Sequence, residues 1–424
     1  MSIDPTRGRR LMLIAAVAGL AMRLAFGLGY WVGKPLTHDE REYLALAESV
    51  SAGRGFVYDA AHETGTAQQF GRAPAYPLFL ALIGAGGPAD AAPARVKIAQ
   101  AIVGAIGVWL IGLLGRRAAG PAAGVAAAAI ASVYPPLVWI CAYVLSEALY
   151  STLALLTGLL LDLAMDRADV GDKRSGSFAG MAGLAAGLSI LVRPAMLFFL
   201  PIAAVWLIAR RRPRLAIALI AAAMLVVLPW TARNLRVYDR FVLVASEGGV
   251  TFWTGNHPLA RGEGDLAANP DIKIAELAFR SQHPGLTAEA LEPLYYREAL
   301  AHIAAHPVWW FGLLMKKAFY TIVPAGPSYT LHSTLYRLSS VASYLILLPF
   351  AALGVRAWQR RPHRPEALFL LAASAVAAGL VFFPQERFRI PVIDPTLIVC
   401  AGMWYGLRLL APIPCAAEHS RVTP

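Results

Sequence analysis

Charge is scarce in this chain. Only 15% of its 424 residues are charged, against about 25% in an ordinary soluble domain. With 58% hydrophobic residues and a mean hydropathy of +0.55, the scarcity excludes a disordered chain and a nucleic-acid-binding domain. Cysteine is nearly absent. Cys141, Cys400 and Cys415 lie far apart, which excludes a disulfide scaffold and a paired-cysteine metal or redox site. The chain also lacks GxxxxGK[ST], HExxH and GxSxG, so nucleotide hydrolysis, zinc proteolysis and serine hydrolysis have no support. What remains is an all-α polytopic membrane protein.

A spanning helix needs roughly 20 mostly apolar residues, because lipid offers the backbone no partners. Ten such spans are expected, at about 11–30, 96–114, 119–138, 141–164, 177–192, 194–209, 214–230, 335–357, 365–383 and 391–411. The first follows Arg7, Arg9 and Arg10 and reads as an anchor, since it is too long and has no cleavage site for a removed signal peptide. Short basic connections fall on one side: Arg116-Arg117, Lys173-Arg174, Arg210 to Arg212 with Arg214, and Arg356, Arg360, Arg361 and Arg364. That side is cytoplasmic by the positive-inside rule, which absorbs much of the net charge of +12. Three regions follow: a module at 1–230 whose first outer loop is 31–95, a second outer loop at 231–334, and C-terminal spans in 335–424. Residues 307–323 are apolar but carry Lys316 and Lys317. Each would cost about 2.5–3.5 kcal/mol at a span centre, so the segment is expected to lie in the interface, with Trp309, Trp310 and Phe311 dipping into headgroups.

Polar residues at the outer ends carry the chemistry. Thr37 and Glu40 have capping-box spacing, and Asp39 stands in the first turn of a helix. That helix carries Tyr43, Ala47 and Val50 on one face and is expected to lie on the membrane. Asp39 is read either as a second helix-favouring acid or as a general base, and one turn can serve both purposes. Arg72 precedes Pro74, Tyr76 and Pro77. It reads as an interfacial arginine or as a cation for phosphate. Glu147 opens an apolar run and is a site hypothesis by default. Arg387 and Arg389 share a short outer connection with Glu386, against the positive-inside bias, so an anion is expected there. His38 beside Asp39 leaves a divalent metal as a minority reading, and no cofactor is assigned.

Together these segments resemble the polytopic GT-C glycosyltransferases of the glycosyltransferase 39, or protein-mannosyltransferase-like, superfamily, which includes the aminoarabinose transferases. The resemblance rests on Asp39-Glu40, Arg72 with Pro74, Ser146-Glu147, Leu191 to Pro194, Pro229-Trp230 with Arg233-Asn234, Gly255-Asn256, and Arg387 to Arg389 with Pro391, in family order over about residues 10–400. It implies a GT-C fold in the inner membrane and an extracytoplasmic active site. It also implies inverting transfer of a sugar from a polyprenyl-phosphate donor to a lipid, glycan or protein acceptor, with membrane lipid as a partner and no nucleic acid. The implied catalytic acids are Asp39, Glu40 and Glu147. The donor phosphate falls to Arg72, Arg387, Arg389 and Lys316, and substrate contacts to Tyr43, Tyr76, Arg233 and Asn256. Here Glu42 separates Arg41 from Tyr43, where many relatives place the arginine next to the tyrosine. The competing readings are a flippase or other transporter, a polysaccharide polymerase or ligase, and a non-catalytic scaffold. Transporters usually place their ionisable groups near the midplane, whereas here they gather at the outer ends of the spans.

Overall fold

The computed structural model describes residues 3–57, 71–264, 269–324, 333–358 and 366–408. The expected basic residues Arg360, Arg361 and Arg364, and Cys415, lie outside the described residues. In chain order the helices are α1 (Pro5–Leu24), continued by a π-helical turn Ala25–Tyr30, α2 (His38–Ser51), α3 (Ala75–Leu82), α4 (Ala94–Ala119), α5 (Pro121–Val133), α6 (Pro135–Trp139), α7 (Glu147–Asp169), α8 (Ser175–Val192) and α9 (Phe199–Ala209). They continue with α10 (Pro213–Tyr238), α11 (Gly248–Asn256), α12 (Pro270–Ser281), α13 (Ala288–Ala305), α14 (Pro307–Ile322), α15 (Thr334–Trp358), α16 (Glu366–Val381), α17 (Glu386–Arg389) and α18 (Ile393–Arg408).

Among the described residues, six helical stretches are long and apolar enough to cross a membrane: Pro5–Tyr30, α4, α7, α8, α10 and Thr334–Ala357. The third, sixth and ninth expected spans are built differently, and the fourth starts late. The third breaks between α5 and the following helical turns, which bend by 63°. The cause is local: Tyr134 precedes Pro135-Pro136 and is extended, ψ 115°, because a residue before proline is pushed out of the α region. The fourth begins only at Glu147, after a 3-10 turn at Ile140–Ala142. The sixth opens as a 3-10 helix, Pro194–Phe198, after an extended Arg193 that also precedes a proline. Both Pro194–Ala209 and α16 are apolar but short.

Small residues allow close helix contacts. On α8, a side chain at Gly183 would meet the carbonyl oxygen of Leu219 at 2.3 Å, and one at Gly187 that of Ala223 at 2.7 Å. This four-residue spacing of glycines lets α8 and α10 pack backbone to backbone.

The bundle has two distinct ends. At one, Arg117 meets Asp166 at 2.5 Å, Arg167 meets Asp172 at 2.7 Å, Arg212 meets Asp169 at 3.0 Å, and Arg210 pairs with Glu366. From there α7 runs back 23 residues to Glu147, about 35 Å at 1.5 Å per residue. α8 runs back the same way over 18 residues, from Ser175 towards Arg193, about 27 Å at 1.5 Å per residue. The candidate site lies at that far end.

Both expected surface helices also make protein contacts. One face of α2 packs on protein: Glu40, Glu42, Tyr43, Leu44, Leu46, Ala47 and Ser49 are all buried. On α14, Phe311 is exposed, but Trp310 donates its indole N–H to Asn256 Oδ1 (3.1 Å) and Trp309 packs on His302. A partly buried indole N–H needs a partner, and here the protein supplies it. The second loop has its own small core of Trp253, Ile272, Phe279, Leu291, Tyr295 and Ala299 from α11, α12 and α13.

α14 docks on α16 through Lys317, which is fully buried. Its Nζ donates to Asn256 Oδ1 (3.0 Å) and to the carbonyl of Leu380 (3.1 Å), while Asn256 Nδ2 donates to the carbonyl of Val381 (3.0 Å). The pair thereby satisfies carbonyls that the end of α16 leaves without intrahelical partners. Burial pushes the Lys317 ammonium down to about 7, whereas an unfolded lysine titrates near 10.4. Between those values the unfolded state holds more protons, so stability should rise with pH from about 7 to about 10. Thermal unfolding in detergent should show this rise in the wild type and lose it in Lys317→Met.

Candidate active site

The site begins with a cap. Thr37 N and Oγ1 both donate to Glu40 Oε2, at 2.8 and 2.9 Å. The other oxygen, Glu40 Oε1, accepts from Val144 N at 2.8 Å. Glu40 is 2% exposed, and both its oxygens serve the fold. This capping box fixes the first turn of α2 and turns its neighbour, Asp39, the other way.

Asp39 lies between two arginines. Its Oδ1 accepts from Arg72 Nη2 at 2.9 Å and its Oδ2 from Arg387 Nη2 at 2.7 Å. Arg72 comes from the end of loop one and Arg387 from α17, 348 residues along the chain from Asp39. Burial raises the Asp39 carboxyl, but the guanidiniums of Arg387 and Arg72 outweigh it and hold the group well below the usual carboxylate range. Burial lowers Arg72 and Arg387 in turn, and the surrounding carboxylates more than reverse that. All three are charged at neutral pH.

Arg72 has two distinct edges. Nε donates to Glu42 Oε2 at 2.8 Å, and Nη2 contacts both Glu42 and Asp39. Nη1 meets Glu247 Oε2 at 3.1 Å. The guanidinium lies 5.4 Å from the centre of the Tyr43 ring. Tyr76 packs edge-on to Tyr43 and donates its hydroxyl to Gln100 Oε1 at 3.2 Å. The two long loops are stitched together just before these groups: Gly71 N donates to Ser246 Oγ at 2.7 Å and Ser246 N to the carbonyl of Gly71 at 3.0 Å. Behind Asp39, the buried Glu147 pairs with Arg193 Nη1 at 2.5 Å and lies 3.9 Å from Arg387 Nε. Arg387 Nε also donates to Gln385 Oε1 at 3.0 Å.

Asp39, Arg72, Glu147, Arg387 and Tyr43 thus converge, with Tyr76 one ring behind. Other candidates stand elsewhere. Arg389 is 5% exposed, bonds Asp394 through Nε at 2.7 Å and lies over Tyr344, so it braces the base of α18. Lys316 borders a separate open groove with Arg261, Met315, Phe319 and Tyr320. Its neighbour Lys317 is the buried one, because α14 turns that face to α16. Arg233 bonds Asn234 Oδ1 (3.1 Å) and Tyr238 OH (3.2 Å), and Asn256 belongs to the clasp on α16.

Three residues of the cluster have no site role in the sequence reading: Glu42, Arg193 and Glu247. Glu42 stands three positions after Asp39, which on a helix is the same face, so that signal was available. Arg193 and Glu247 reach the cluster only through the fold. Among the described residues no three His, Cys, Asp or Glu side chains gather as a metal site.

Comparison with known proteins adds a family match over part of the chain and a shared fold over most of it. Residues 74–235 match the family model described as dolichyl-phosphate-mannose-protein mannosyltransferase. No curated protein matches the chain by sequence. Among solved structures, the fold is similar to that of the Archaeoglobus fulgidus oligosaccharyltransferase tethered with an acceptor peptide, at 15% identity and TM-score 0.59 over 96% of this chain and 50% of that one. A second match, the Archaeoglobus fulgidus oligosaccharyltransferase AglB with an inhibitory peptide and a dolichol-phosphate, has 14% identity and TM-score 0.52, covering 95% and 50%. ArnT from Cupriavidus metallidurans bound to undecaprenyl phosphate is also matched, at 15% identity and TM-score 0.39, covering 93% and 76%. The chain spans about half the length of the oligosaccharyltransferases it resembles. The chain thus shares the fold of these membrane oligosaccharyltransferases over nearly its full length, and its residues 74–235 are similar to the protein-mannosyltransferase family model.

Proposed function

We propose that this protein transfers a sugar from a polyprenyl-phosphate carrier to an acceptor hydroxyl or amine at the outer face of the membrane, with inversion. The observation that carries this reading is Asp39 held between Arg72 and Arg387 at the end of the bundle remote from the basic cluster. An inverting transfer needs one base and cations for the leaving phosphate. A retaining one needs a nucleophilic carboxylate and a second acid/base group.

In the proposed step the acceptor attacks the anomeric carbon as the carbon–oxygen bond to phosphate breaks. The bonding pair leaves on the phosphate oxygen, where Arg72 and Arg387 stabilise the charge. The acceptor's proton passes to Asp39. So acidic a carboxyl is a weak base towards a ground-state hydroxyl. It takes the proton late, once bond formation has made the hydroxyl acidic. Glu147 with Arg193 holds Arg387 from behind. Arg389 and Lys316, which stand apart from this cluster, are not given the phosphate.

The end with Lys173 and Arg174 faces the cytoplasm under the positive-inside rule, so the site faces outward. Single cysteines at the exposed positions Lys173 and Gln282 should label from opposite sides of a sealed membrane, and labelling from one side would contradict this. For the activity, purified protein is incubated with a panel of polyprenyl-phosphate sugars and membrane extract. Mass spectrometry should find an acceptor heavier by one sugar residue. Unchanged acceptors with every donor would overturn the proposal.

A further inference from the structure

Arg72 is oversupplied with carboxylates, and they do not hold it alike. The Nε and Nη2 edge is bound by Glu42 and Asp39, both on α2, and Glu42's side chain is only 7% exposed. The Nη1 edge has Glu247, whose side chain is 30% exposed. Glu247 stands at the N-cap of α11 between Ser246, tied to Gly71, and Gly248-Gly249. Its surroundings are poor for a carboxylate. Asp39, Glu42 and Tyr43 face it from α2, and Glu292 from α13, with Glu289 beyond Ser246. The opposing charges are Arg72 and, further off, Arg193. Partial burial, offset but not outweighed by Arg72, raises its carboxyl above the ordinary range.

We propose that Glu247 and the donor's phosphate compete for the Nη1 edge of Arg72, so that donor binding exchanges a carboxylate of the second loop for the phosphate. The inference rests on the reading of Arg72 as the donor-phosphate cation. Glu42 and Asp39 then act as the anchor that keeps the fork aimed, and Glu247 as the anion that gives way. The exchange conserves charge at the guanidinium, which matters because an added anion beside Asp39, Glu42 and Glu247 together would be repelled. It also selects for an anionic carrier, since a neutral lipid alcohol has nothing to offer Arg72 in place of Glu247.

The test is equilibrium binding of a short prenyl phosphate, and of the matching neutral prenol, to the full-length protein in nanodiscs. Removing an ion pair whose carboxylate is partly exposed is a modest change, so Glu247→Gln and Glu247→Ala should each bind the phosphate roughly fivefold tighter, with prenol binding unchanged. Arg72→Ala should bind the phosphate at least tenfold weaker. In the Arg72→Ala background, Glu247→Gln should add little, because the shared partner is gone. Equal or weaker phosphate binding in both Glu247 variants, with Arg72→Ala still impaired, would overturn the exchange and leave the donor site standing. Unchanged binding in Arg72→Ala would overturn the site itself.

Discussion

Asp39→Asn is expected to lower turnover by about 10²–10⁴-fold, the usual worth of general-base assistance, with donor affinity little changed. The separation follows from the packing. Arg72 keeps Glu42 and Glu247, and Arg387 keeps Gln385 and Glu147, so neither arginine loses its anchorage with the Asp39 charge. Asparagine preserves the side-chain shape, and the α2 cap rests on Glu40. Glu40→Gln is the matched control: it should cost roughly 1 kcal/mol of stability, as capping changes do, and retain turnover. The pH profile provides a second check. Arg387 and Arg72 hold Asp39 far below the ordinary carboxylate range against the effect of burial. The base is therefore deprotonated throughout pH 5–8, and turnover should show no acid limb there from this group. A near wild-type rate in folded Asp39→Asn would move the search for the base to Glu147.

The second large effect is expected at Arg72. Arg72→Ala removes a charge-assisted contact to the donor phosphate worth about 1.5–3 kcal/mol, so donor affinity should fall by about 10- to 150-fold. It also leaves Asp39, Glu42 and Glu247 close together without their shared cation, so some loss of thermal stability should accompany it. Arg72→Lys separates the two effects. Lysine restores the charge but not the planar fork that spans Glu42, Asp39 and Glu247. Stability should largely return, and donor affinity should recover only in part. Titration of donor binding alongside thermal unfolding of the three proteins checks this.

The apolar helices were legible because each long apolar run has few ways to satisfy its backbone in lipid. Their breaks were less so. Tyr134 and Arg193 each precede a proline and could have been read as interruptions, yet hydropathy runs straight through both. In the site, Asp39, Arg72, Glu147 and Arg387 were visible as rare charges at the ends of apolar segments. Which carboxylate meets which guanidinium was not visible, because the partners are up to 348 residues apart. Glu40 against Asp39 shows the same limit. The capping spacing identifies one acid as the cap, but only the contact with Val144 shows both oxygens of Glu40 committed to the fold. Lys316 and Lys317 differ by one position, and it takes the docking of α14 on α16 to show that Lys317 is the one turned inward.

The central claim is that the Asp39, Arg72 and Arg387 cluster breaks the bond between sugar and lipid phosphate, as opposed to moving the intact lipid across the membrane. Proteoliposomes loaded with a polyprenyl-phosphate sugar labelled in the sugar test this directly once acceptor is supplied. The account predicts that label leaves the lipid at the rate free polyprenyl phosphate appears, and that Asp39→Asn and Arg72→Ala slow both together. Label that stays on intact lipid while the lipid changes leaflet, with the same dependence on Asp39 and Arg72, would contradict it.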